Sequence, residues 1–146
     1  MNKQTIFDVV LFGLRAQGCQ SLNASIRQCM YRDDKGNRCA VGMWIPDSTY
    51  NESMEGVGVA KLIDTYPISV PTWFHEEKDL LEALQGAHDM SCKARFMQDF
   101  ENRMLWVANR FNLVYTPPGI EMPMAEALYT ELEKRNGKRT KVSACS

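Results

Sequence analysis

The sequence predicts an α+β domain: one β-hairpin or small antiparallel sheet packed against about four or five amphipathic helices. Two patterns carry this reading. Apolar residues recur at helical spacing in several separate stretches, and residues 28–45 read instead as two strands about a turn. Size and composition agree, since 146 residues with 45% hydrophobic and 24% charged content suit one buried core.

In chain order, Ile6, Val9, Val10 and Leu14 define a first helix over residues 4–17, stopped by Gly18. Strands running from Gln28 to Arg32 and from Arg38 to Ile45 then flank the turn Asp33-Asp34-Lys35-Gly36-Asn37, with Gly36 in the left-handed position. That turn sets Asp33 opposite Asn37, Tyr31 opposite Cys39 and Cys29 opposite Val41, and pairs Arg32 with Arg38 on the other face. Asp47 or Ser48 caps a short helical turn after Pro46, and a short helix runs through Val59, Leu62 and Ile63. Pro67 and Pro71 bracket Ile68-Ser69-Val70 as a connector or edge strand. A helix over residues 76–90 places Leu80, Leu81, Leu84, Ala87 and His88 on one face, and another after Ser91 aligns Phe96, Phe100, Met104, Val107 and Phe111. A last helix starts near Pro123 and carries Ala125, Leu128 and Leu132. Residues 1–135 are thus expected to form one globular domain and residues 136–146 a mobile basic tail.

Charge narrows the function classes. With 17 basic and 18 acidic residues the net charge is -1, too little to draw the chain strongly onto nucleic acid or an anionic membrane. The first apolar stretch is interrupted by Asp8 and closed by Arg15, so neither a signal peptide nor a spanning helix is expected, and a cytoplasmic location follows. Five cysteines without an export signal are expected to be reduced thiols.

Three constellations bear on chemistry. Cys39, His88 and Asp89 supply a thiol, a base and an orienting carboxylate, the ingredients of a cysteine-dependent hydrolase or transferase; a mid-strand cysteine, however, lacks the electropositive setting that activates a thiol. Cys29, Cys39, His75 and His88 contain no close-spaced ligand pair, so no metal site and no cofactor are expected. Arg32 and Arg38 make a paired guanidinium patch that fits a phosphate or an acidic partner surface unless Asp33, Asp47 or Glu55 neutralises it. Asp47, Tyr50 and Glu55 follow on loops, where ligand contacts concentrate, and complete a candidate partner-binding set with the two arginines. Trp73 and Phe74 read as a hydrophobic staple or an aromatic anchor, and the nine methionines, Met54, Met90, Met97, Met104, Met122 and Met124 among them, as mostly core or as adaptable binding surface.

The run Cys29, Tyr31, Arg32, Gly36, Cys39-Ala40-Val41-Gly42, then Ile45-Pro46-Asp47, Tyr50 and Glu55-Gly56, with Leu84-Gln85 and His88-Asp89 downstream, resembles a signature of tailed-phage and prophage accessory proteins. The resemblance spans about residues 4–113 and departs from the signature at Met43-Trp44. It implies a non-enzymatic protein that binds and inhibits a host enzyme or a defence component, in the host cytoplasm, with sequestration of a small signalling nucleotide as the alternative. An exposed hairpin edge and Met-rich helices also permit a homodimer.

Overall fold

A computed structural model of the chain describes residues 1–136. Among these, five α-helices and a two-stranded antiparallel hairpin make a mainly helical fold with a small β component, as the sequence predicts. No helix of the described residues is long and apolar enough to cross a membrane.

Helix α1 (Lys3–Gln17) is the centre of the packing. Asn2 caps it, its side chain accepting from the Thr5 N–H at 2.8 Å, and Gly18 closes it in the left-handed conformation at φ 78°. Phe7 and Leu11 are buried beside the expected Ile6, Val9, Val10 and Leu14, so α1 is enclosed on most sides, against α5, α3 and α4.

The strands do not fall where the sequence places them. The ladder joins β1 (Leu22–Asn23) to β2 (Gln28–Cys29), with Leu22 opposite Cys29. The turn at residues 33–37 does form, with Gly36 at φ 87°, an Arg32–Arg38 bridge, and Cys39 N–H donating to Tyr31 O at 3.2 Å, which is the predicted register. Beyond Cys39 the predicted strand is absent, because the chain curls into a 3-10 turn at Gly42–Trp44. A Cβ on Gly42 would lie 1.9 Å from the Tyr31 carbonyl oxygen, so this turn folds directly onto the backbone of Tyr31. Cys39 through Ile45 are buried on all sides, which explains an apolar run without alternation. Asp33 holds the turn: Oδ1 accepts from the Lys35 and Asn37 amides at 3.0 and 2.9 Å, and Oδ2 from the Leu22 amide at 3.3 Å.

The remaining elements follow the helical periodicity. Helix α2 spans Val59–Thr65, α3 Lys78–Asp89, α4 Phe96–Phe111 and α5 Pro123–Arg135. Ile68-Ser69-Val70 is a connector, and Pro46–Tyr50 is a turn in which Asp47 pairs with arginines rather than capping. Trp73 packs edge-on against Trp44 and Phe74, each at 4.9 Å between centroids. Asn136 is buried, its Nδ2 donating to Met43 O at 2.6 Å and its carbonyl accepting from Arg38. The rest of the predicted tail, residues 137–146, lies outside the described residues. Among the described residues, Cys29, Cys39 and Cys92 are free thiols.

Candidate functional site

The five residues assigned to partner binding from sequence do come together. Arg32 Nη1 reaches Asp47 Oδ1 at 2.6 Å, Arg38 Nη2 reaches the same oxygen at 3.4 Å, and the Arg32 guanidinium lies 3.9 Å above the Tyr50 ring. Tyr50 Oη donates to Glu55 Oε2 at 2.6 Å, and Glu55 also accepts the backbone amides of Tyr31 and Arg32 at 2.8 and 3.2 Å. These side chains bond to one another, while Arg32 Nε and Arg38 Nε are buried without a hydrogen-bond partner among the described residues. Burial first, then the positive charge of Arg32, lowers the Arg38 pKa, while Asp47, Glu133 and Asp33 act against that. Asp47 answers the like-charged bridge from within the fold, and Arg32 covers one face of Tyr50.

The cysteine, histidine and carboxylate set does not assemble around Cys39, whose mid-strand position in the sequence already spoke against an activated thiol. Cys39 is fully buried, its Sγ accepts the Gly42 amide at 3.2 Å, and burial raises its pKa, so this thiol is held protonated inside the core. The cysteine beside the histidine is Cys29: its Sγ, a ring nitrogen of His88 and a carboxylate oxygen of Asp89 all lie within 4.8 Å of one another. Ser21 N–H donates to His88 Nε2 at 3.0 Å, which fixes the proton on Nδ1, and Nδ1 donates to Asp89 Oδ1 at 2.8 Å. Both ring nitrogens are committed, so His88 holds no free lone pair for either thiol.

The same tautomer bears on a metal. Coordination by Nδ1 requires the proton on Nε2, where it would face the Ser21 N–H, so the trio fits a metal poorly. The Cys29 thiol is pushed up to about 12 by burial and by the Asp89 charge, the opposite of an activated nucleophile. Gln85 locks the arrangement, accepting the Val41 amide at 3.1 Å and donating to Asp89 at 2.7 Å. His88-Asp89 is a structural clasp joining α3 to the start of the hairpin.

Two apolar surfaces went unassigned in the sequence. One is an open cleft of about 870 Å³ between α1, α4, residues 118–122 and the start of α5. Phe12, Ala16, Met97, Ile120 and Met122 line it, with Glu121 and Glu126 among its polar residues. Arg15 at its base grips Glu101 with two bonds of 2.7 Å, tying α1 to α4. The other lies between α3 and α4 around Met90 and Trp106, 67% and 60% exposed. Trp106 falls off the buried stripe of α4, a signal present in the helical periodicity. Compared with protein-family models, curated proteins and solved structures, the chain matches none.

Proposed function

We propose that this chain is a phage-encoded accessory protein that binds and inhibits a host or defence protein in the host cytoplasm, without catalysing a reaction. The observation that carries the reading is the Met-lined cleft. Met97 and Met122, flexible and polarizable, sit with Phe12 and an exposed Ile120 in a concave surface large enough for a partner's side chains. Glu121 and Glu126 give that surface an acidic character, so the complementary partner segment is apolar and carries a basic residue. The resemblance to phage accessory proteins supplies the host context.

The test is photo-crosslinking from position 97 in the living host, combined with growth and phage plating on a defence-bearing strain. The expected result is one discrete adduct and an altered growth or plating phenotype, both lost in Met122→Asp and weakened in Glu121→Lys/Glu126→Lys. Expression that changes neither growth nor defence, or cleft variants that act like the wild type, would remove the proposal. The Arg32, Arg38, Asp47, Tyr50 and Glu55 cluster bonds largely within itself, with Arg32 covering one face of Tyr50, and so supports a nucleotide site less well than the cleft supports a protein partner.

A further inference from the structure

The connection between α3 and α4 is short, so α4 turns back along α3. The groove between them, about 500 Å³, is lined by Ala83, Gly86 and Met90 on one side and by Arg103, Trp106 and Val107 on the other. One face here holds both a projection and a recess: Trp106 stands out to solvent, and a Cβ placed on Gly86 would meet nothing within 4 Å. The helices also differ in charge. At helical spacing, exposed Asp79 and Glu82 flank the groove on α3, while Arg103 and Arg110 border it on α4. None of these four takes part in an ion pair among the described residues.

We propose that this face pairs with the same face of a second copy of the chain, about a two-fold axis parallel to the helices. Rotation about that axis lays α3 of one copy antiparallel on α4 of the other, twice over. The acidic row then meets the basic row at both contacts, and Trp106 of each copy sits against Gly86 of the other. A two-fold interface needs a surface complementary to itself, and a face with projection and recess, acid and base, meets that need. The inference concerns a different surface from the cleft assigned to the inhibited partner, and either can fail without the other.

Sedimentation equilibrium of the full chain tests it, with Cys92→Ser throughout so that the exposed thiol links no copies. The unaltered surface is expected to form a dimer. Asp79→Lys/Glu82→Lys, with two basic rows, and Arg103→Glu/Arg110→Glu, with two acidic rows, should each sediment as monomers; mixed in equal amounts they should form a dimer again. That rescue also shows both variants to be folded. A monomer with the unaltered surface at every concentration, reversed variants that dimerise as well as the original, or a mixture that stays monomeric would each overturn the proposal.

Discussion

At Glu55 one carboxylate answers three donors: the amides of Tyr31 and Arg32 and the hydroxyl of Tyr50. Burial first, then this carboxylate, raises the Tyr50 pKa, so the phenol stays protonated as the donor. Glu55→Ala leaves these groups without their acceptor and is expected to cost about 3 kcal/mol in urea unfolding, with Glu55→Gln losing less because one oxygen remains. An unchanged midpoint in the alanine variant would show that the carboxylate carries none of this. The three described free thiols make a second comparison, since their environments differ while their chemistry is the same. Cys92 is exposed, Cys29 half-buried beside Asp89, and Cys39 fully buried. Iodoacetamide followed by mass spectrometry should therefore modify Cys92 first, Cys29 slowly and Cys39 only on unfolding. With its pKa near 12, the Cys29 rate should climb about tenfold per pH unit through the neutral range. Fast modification of Cys29 at neutral pH would instead reveal an activated thiol.

Two glycines show how elements are held, and they respond oppositely to the same change. Gly42→Ala drives a methyl into the Tyr31 carbonyl at 1.9 Å, so backbone has to move, and a loss of about 3 kcal/mol is expected. Gly86→Ala sits inside α3 with open space around it, and helix propensity predicts a gain of up to about 1 kcal/mol. Denaturant midpoints of the two variants, shifting in opposite directions, check both. The contrast also explains what the sequence reveals at this scale. The helices were legible because α1, α3, α4 and α5 each bury residues at a helical repeat, and Gly18 and Pro123 mark their ends as expected. The ladder was not, because strands of two residues carry no alternation to read, and the turn into them passes through Arg27 at φ 53°, a non-glycine residue in the left-handed region. Cys39 through Ile45 have the composition of a strand and the geometry of a buried turn, a difference set by contact with Tyr31. The candidate cluster was legible as a set of residues, because Arg32 and Arg38 pair in the register fixed by the turn. The sequence named Asp33, Asp47 and Glu55 as groups that could answer the arginines; that Asp47 does so, while Glu55 takes the Tyr31 and Arg32 amides and the Tyr50 hydroxyl, depends on how the following loop folds back.

On the scale of the whole molecule, α1 finds its most extensive packing against α5, far along the chain. The seat is specific: a Cβ on Gly13 would lie 2.5 Å from the Tyr129 ring, so α1 and α5 approach as closely as glycine allows. Tyr129→Ala is expected to cost about 3 kcal/mol by opening a cavity, and Gly13→Ala about 2 kcal/mol by overfilling the same place. The double variant should be more stable than the sum of the two losses predicts, since the smaller side chain leaves room for the added methyl. Simple additivity in a thermal or urea cycle would show that the two residues do not share the space.

That pairing has a consequence for how the protein is made. A ribosome releases Lys3–Gln17 long before it reaches Pro123–Arg135, so the nascent chain carries an apolar helix whose cover has yet to be translated. Until then Ile6, Phe7, Val10 and Leu11 are available to chaperones or to other unfinished chains. Synthesis that halts before Pro123 leaves a product that cannot complete its own core, and such fragments are expected to aggregate or be degraded rather than persist as smaller working versions of the protein.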